Sequence, residues 1–285
     1  MAGPAPLEFI LCADDFGISP GVSEGIIELV QGHRLSAVSC MMNGRSIRKY
    51  ADGITPYRDR IDIGIHFVLT DMPPLSSALT LEINGRLPTI GALTKRALIG
   101  GLPLEDLKSE LAAQLDLFAD IFKRRPDFVD GHQHIHQLPG IRDIVLDLIM
   151  ERFSSCLPPL RSCSEHLSII FRRGVEPLKT IAIGFFGASL QRGAMANNVK
   201  FNTGFSGIYD LSGKVAYEVL FDRFTDSLRP GSLIMCHPGK VDDELRSIDG
   251  LTDQREVELS YFLGNIFTDL LAKKNLRLGR FATFK

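Results

Sequence analysis

Apolar residues fall in short runs along this chain, and a stretch with helical spacing follows most of them. The first run, residues 7–12, reads as a buried strand that delivers Asp14 and Asp15 at its C-terminal end. Ser19-Pro20 then marks a helix start, because proline is accepted in a first helical turn. Ile26, Ile27, Leu29 and Val30 supply that helix's apolar face. Residues 37–42 read as a second strand, stopped by Asn43-Gly44, and residues 61–69 as a third that carries His66. Leu107, Leu111, Leu115, Phe118 and Phe122 recur at helical spacing and predict a helix over 104–122. Residues 127–131 form the next strand expectation and 139–152 the next helix. Short strands are expected at 159–162 and 180–183, whereas 185–212, rich in Gly and Asn, shows no clear period. A helix over 215–227, a strand over 232–236, a final helix over 256–273 and a closing strand over 276–284 complete the pattern.

Strands that alternate with helices imply parallel βαβ units. Four of the strand expectations end at chemically active side chains: Asp15, His66, His132 and His237. The C-terminal edge of a parallel sheet is where α/β barrels carry their sites, and an open doubly wound sheet would do the same. Because the candidates come from strands spread along the whole chain, the fold class expected is α/β, a distorted (βα) TIM-like barrel. No internal repeat or linker divides it, so a single domain is expected over 1–285. Residues 71–102, rich in Pro, Gly, Ser and Thr, read as a loop insertion that forms a cap or a dimer arm, and a homodimer is one expected assembly.

Composition narrows the class. A formal net charge of −2 gives no basic field for nucleic acid. The first six residues are short and uncharged and the apolar run after them is cut by Asp14-Asp15, so no signal peptide is read there; nothing approaches the roughly 18 apolar residues of a membrane span. Five cysteines are an odd count without framework spacing, which favours reduced thiols in a cytoplasmic protein.

The candidate chemistry is concentrated in Asp130-Gly131-His132-Gln133-His134-Ile135-His136, three histidines in five residues. Alternation would place them on one face of an extended segment, and i, i+4 spacing would also place His132 and His136 on one helix face; the preceding strand and Pro139 favour the strand-end reading. Asp130 could orient an imidazole. Asp14 and Asp15 are either a metal ligand with a general base or a pair of helix N-caps ahead of Ser19-Pro20. His66, alone in an apolar run, reads more readily as a core histidine than as a ligand until partners are found. His237 offers a general acid; a Cys236–His237 nucleophilic pair is weakened because neighbours in a strand face opposite ways. Arg161 and Arg255 are candidate partners for a carboxylate or substrate, although Arg255, with Glu256 and Glu258, reads as a solvated helix start.

Ala13-Asp14-Asp15-Phe16-Gly17, Gly64-Ile65-His66-Phe67-Val68-Leu69-Thr70, the histidine cluster from Asp130 to His136, and Met235-Cys236-His237-Pro238 together resemble the YdjC-like carbohydrate deacetylases. The resemblance implies a distorted (βα) barrel that hydrolyses the N-acetyl group of an amino sugar, an N-acetylated oligosaccharide or a glycolipid. It implies one divalent metal ion, magnesium or zinc, held by Asp15, His66 and His132; ligand type alone also admits cobalt and manganese. Asp14 would be the general base and His237 the general acid. Asp130, His134, His136 and Arg161 would face substrate or support these groups. Two departures stand out: Cys12 where many members have Asn, and Gly131-His132-Gln133 in place of the more usual Ser-His-His, so position 133 is not expected to be a ligand. Metal-dependent hydrolysis of another amide or a phosphoester is the rival enzymatic reading, although no Gly-rich phosphate loop accompanies the motifs. A catalytically inactive sugar-binding relative is the non-enzymatic one.

Overall fold

A computed structural model of the chain describes residues 4–76, 80–82 and 84–284, so residues 77–79 and 83 of the expected insertion lie outside the described residues. The strands are β1 (Leu7–Phe16), β2 (Ala37–Cys40), β3 (Asp62–Phe67), β4 (Val129–Gly131), β5 (Phe205–Ser206), β6 (Leu233–Cys236) and β7 (Leu276–Leu278). The helices are α1 (Pro20–Gln31), α2 (Ile47–Tyr50), α3 (Ile90–Ile99), α4 (Leu104–Phe122), α5 (Ile141–Phe153), α6 (Leu167–Arg173), α7 (Pro177–Ala196), α8 (Tyr217–Phe224), α9 (Asp243–Ile248), α10 (Asp253–Leu263) and α11 (Asn265–Lys273). All strand pairs are parallel, in the order β4-β3-β2-β1-β6-β5, with β7 added to the start of β1. Single bridges from Val129 to Leu160 and from Leu160 to Phe201 carry the ladder on from β4. The sheet curls into a distorted (βα) barrel, as the alternating pattern predicts.

Strand alternation separates two apolar layers. Ile10 and Cys12 of β1, Ala37, Phe128, Leu233 and Met235 pack with Phe205 and Phe281 inside the barrel. Their neighbours Phe9, Leu11, Ala13, Val38, Ile63, Ile65 and Ile234 pack outward against the helices. The same parity turns the polar residues Asp14, Ser39, His66, Asp130 and His237 inward, toward the mouth at the C-terminal edge.

Several expectations are corrected. Residues 180–183 are not a strand but part of α7, which also absorbs residues 185–196 of the 185–212 stretch. That helix is apolar around its whole circumference, so its sequence shows neither period clearly. Residues 159–162 contribute one bridge residue, Leu160, rather than a strand. The final helix is two, α10 and α11, divided at Gly264, whose extended backbone (φ −74°, ψ 166°) leaves the helical region. The closing strand stops at Leu278 and continues as a 3₁₀ turn at Phe281–Thr283. The 71–102 segment contains a regular helix, α3, capped by Thr89 and ended by Gly100 at φ 74°. No helix among the described residues is long and apolar enough to cross a membrane.

Candidate active site

Two adjacent carboxylates on a strand should face opposite sides of it. Asp14 follows the inward parity of Ile10 and Cys12, and Asp15 would face the helices. A register shift between Ala13 and Phe16 and a left-handed Asp15 (φ 66°) interrupt the alternation. Such irregularities re-aim side chains beside functional sites, and both carboxylates line the same cavity of about 360 Å³ with His66, His132, His134 and His237. Neither is a helix N-cap; Ser19 fills that role on the Val22 N–H at 3.3 Å.

Each carboxylate is held by its own buried arginine. Arg161 donates Nη1 to Asp14 Oδ2 at 2.6 Å and Nη2 to Asp14 Oδ1 at 2.5 Å. Burial alone would raise the Asp14 pKa; the guanidinium outweighs it and holds the carboxyl at about 2. Arg255 donates Nη2 to Asp15 Oδ2 at 2.6 Å and to Asp249 Oδ2 at 2.6 Å, while its Nε binds Leu251 O at 3.0 Å. Against the upward push of burial, Arg255 and then His132 hold Asp15 well below the usual carboxylate range. The expected solvated helix start at Arg255 is therefore corrected: its side chain is fully buried. Arg255, Glu258, Leu259 and Phe262 share one buried face of α10 at i, i+3, i+4 and i+7, the sequence signal that marks it.

With Asp15 Oδ2 engaged, Oδ1 faces two imidazoles, His132 Nδ1 at 3.1 Å and His66 Nε2 at 3.4 Å. One donor atom from each of Asp15, His66 and His132 lies within 4.8 Å of the others. Behind His66, Asp130 Oδ1 accepts from Nδ1 at 2.6 Å and from Ser39 Oγ at 2.5 Å. Asp130 thus fixes the ring orientation that turns Nε2 toward the cluster. Burial would lower the His66 pKa, but Asp130 and the neighbouring carboxylates push it up to about 10. Arg161 Nη2 also lies 2.6 Å from Asp130 Oδ2, an ion pair without hydrogen-bond alignment, so one guanidinium spans Asp14 and Asp130. A carboxylate and two imidazoles, with the outer atoms of Asp15 and His66 already hydrogen-bonded, form a donor set suited to one divalent cation.

The histidine cluster is not an extended segment. Gln133 (φ 52°) and His134 (φ 61°) are both left-handed, and His132–Gln137 turns as a kinked 3₁₀ element. The three rings consequently part. His132 meets Asp15, whereas His134 lies against Cys163 Sγ (3.4 Å) and the Phe205 ring. His136 is fully buried, with Nε2 donating to Arg161 O at 2.8 Å. Burial drives His136 down to about 4, and burial with Arg161 also drives His134 well below its usual value, so both rings are neutral near pH 7.

On the opposite wall, Glu258 accepts from the His237 backbone N–H at 2.6 Å and from Tyr209 Oη at 2.5 Å. Cys236 faces away from the cavity and donates to Cys12 O at 3.3 Å; burial pushes its thiol far up, which removes it as a nucleophile. Sequence reading missed Ser39 and Asp249, and its solvated helix start is corrected at Glu258 as well, which is buried. Ser39 carries a signal, a lone hydroxyl in the apolar run Ala37-Val38-Ser39-Cys40.

A family model of YdjC-like proteins matches residues 8–273. The chain belongs to the YdjC-like family. Among YdjC-like relatives, the chitooligosaccharide deacetylases of Yersinia pestis (strain Pestoides F) and Yersinia pseudotuberculosis serotype O:3 (strain YPIII) are each 31% identical over 278 residues, 95% of this chain and 97% of theirs. A crystal structure from Enterococcus faecalis V583, provisionally described as a cellobiose-phosphate cleavage protein, superimposes with a TM-score of 0.73 at 19% identity, over 98% of this chain and 99% of that one. It shows that the YdjC-like chain and that protein share a fold.

Proposed function

We propose that this YdjC-like protein is a metal-dependent carbohydrate deacetylase that removes an N-acetyl group from an amino sugar. The observation that carries this reading is the meeting of Asp14, Asp15, His66, His132 and His237 at one cavity from four strand ends. The names of the Yersinia relatives point to the same reaction. Asp15, His66 and His132 would hold one divalent cation. When bound, the cation supplies Lewis acidity toward the acetyl carbonyl and lowers the pKa of a water.

The protein's own groups divide the remaining work. Asp14, kept ionised and fixed by Arg161, takes the proton of the attacking water. The water oxygen adds to the carbonyl carbon, the carbon–nitrogen bond breaks, and His237 gives the departing nitrogen its proton. Acetate and the free amino sugar are the products. Glu258 fixes His237 through its backbone N–H. Arg255 and Asp130 keep the ligand atoms of Asp15 and His66 turned toward the cluster.

A phosphoester substrate fits less well. Arg161 and Arg255 are already committed to carboxylates, and Lys179, which also lines the cavity, donates to Tyr209 O at 3.1 Å. The remaining wall is mainly apolar, with Ile183, Ile208, Leu211, Met235 and Leu251.

The test is acetate release from a panel of N-acetylated sugars, with phosphate release from sugar phosphates beside it, each with and without chelator. Chelator-sensitive acetate release is expected. His132→Ala should lose both metal and activity; full activity in a metal-free His132→Ala protein would sink the assignment.

A further inference from the structure

Helix α7 presents three faces. Thr180, Gly184, Gly187, Leu190 and Ala194 recur at helical spacing and pack inward. Lys179 and Ile183, on one flank, line the cavity of the candidate active site. The outward face carries Leu178, Ala182 and Phe185 at i, i+4 and i+7, with Leu178 80% and Phe185 68% exposed. The preceding helix, α6, adds Leu167 and Phe171 at i and i+4, and Phe171 is 62% exposed. α3 packs on the same His132–Gln137 turn as α7, reaches the cavity through Ile90, and ends in Leu98 and Ile99, the latter 72% exposed. A single exposed apolar residue needs no explanation, but a concentration of large ones marks an interaction surface.

Charge is distributed as unevenly as hydropathy in these helices. Over residues 84–104 and 166–196 the chain has one acidic residue, Glu176, of the 34 it holds in all. The same stretches have seven basic residues. One, Arg173, is buried on Glu165. The others, Arg86, Lys95, Arg96, Arg172, Lys179 and Arg192, are exposed, and none forms an ion pair among the described residues. Arg172, Lys179 and Arg192 bond only the neutral oxygens of Ser227 Oγ, Tyr209 O and Ser189 Oγ there. A net charge of −2 thus conceals a positive region beside the mouth of the barrel.

Unpaired cations beside protruding Leu, Ile and Phe are the two signals by which a protein binds an anionic bilayer. The cations are drawn to the headgroup charge, and the apolar side chains enter the acyl boundary. Nucleic acid would satisfy the cations but leave the apolar side chains in water. A second copy of the same face would set cation against cation. We propose that α6 and α7, together with α3, dock this protein on an anionic lipid surface, with the cavity opening at the rim of the docked face. Such docking does not depend on which reaction the cavity performs.

The full-length protein is sedimented with vesicles of phosphatidylcholine alone and of phosphatidylcholine mixed with phosphatidylglycerol, at low and at high salt. The wild type should bind the mixed vesicles, and bind more weakly at high salt and on phosphatidylcholine alone. Leu178→Ser/Phe185→Ser should lower the partition coefficient at least about tenfold, the contribution of one large apolar side chain. Arg172→Gln/Arg192→Gln should lower it about fivefold for each charge removed. All four side chains are exposed, so both variants should keep the wild-type thermal transition; if the serine pair fails to fold, the glutamine pair decides alone. A wild type that stays in the supernatant, or unchanged binding in either folded variant, overturns the proposal. So does a dimer, seen by sedimentation velocity, that Leu178→Ser/Phe185→Ser dissolves while no form binds vesicles; the face then belongs to a second copy.

Discussion

Arg255 shows how much of this site is set by side chains that make no direct claim to chemistry. Its Nη2 satisfies Asp15 Oδ2 and Asp249 Oδ2 together, which leaves Asp15 Oδ1 facing the two imidazoles. Groups that hold metal ligands from behind are typically worth about 10–100-fold in metal affinity. Arg255→Ala should therefore weaken divalent-metal binding by about that factor, read by calorimetry on the metal-free protein; guanidinium added to the alanine variant should recover part of it, and unchanged affinity would remove the positioning role. His237→Ala should behave in the opposite way, with metal affinity kept and turnover down about 10²–10⁴-fold. The sequence exposes these two residues unequally. His237 ends an apolar strand and is followed by Pro-Gly, so it stands out. Arg255 sits in Asp253-Gln254-Arg255-Glu256, whose charges look solvated, and its burial depends on α10 packing against α1. The aspartate pair is intermediate: the motif is plain, but that both carboxylates face one cavity follows from a left-handed residue that no apolar pattern reveals.

At the level of elements, parity does most of the positioning. Every second residue of β2, β3, β4 and β6 points into the barrel, which puts Ser39, His66, Asp130 and His237 on the inner face without further instruction. This is why the strands and the polar residues at their ends were legible in sequence. The histidine turn was not, because Gln133 and His134 adopt left-handed backbone where an extended or helical period was the natural expectation. Parity also demands close packing. Gly64 precedes His66 by two residues on the inner face, and a Cβ there would overlap the Phe128 ring. Phe128 leads directly into β4, and β3 pairs His66 with Asp130. Gly64→Ala should therefore force the two strands apart and cost about 1–3 kcal/mol, the usual range for overpacking a core. Urea unfolding measures it. A stability within 0.5 kcal/mol of the wild type, roughly the spread of neutral surface changes, would show that Phe128 moves aside without strain.

For the molecule as a whole, the mouth and the closed base of the barrel are separate problems. The mouth holds the paired carboxylates and arginines; the base is closed by the C-terminal segment. β7 adds to the start of β1, Gly279 N–H binds Phe9 O at 2.8 Å, and the Phe281 ring stacks on Phe128 at 5.1 Å. Asp62, at the first position of β3, accepts the Phe281 N–H at 2.6 Å and is buried by this closure, which pushes its pKa up to about 7. A carboxyl whose folded pKa exceeds its unfolded value binds its proton more tightly in the native state. Between pH 4 and 7 the native protein therefore holds a proton that the unfolded chain has lost, and the stability from this group declines as pH rises through that window. Asp62→Asn keeps an acceptor for Phe281 and removes the titration. The variant should match or trail the wild type near pH 4 and exceed it above pH 7, by about 2 kcal/mol after the segment relaxes around the charge. Thermal unfolding of both proteins across pH 4–8 tests this. Parallel stability curves would mean that Asp62 ionises freely, and that the C-terminal closure admits water at the base of the barrel.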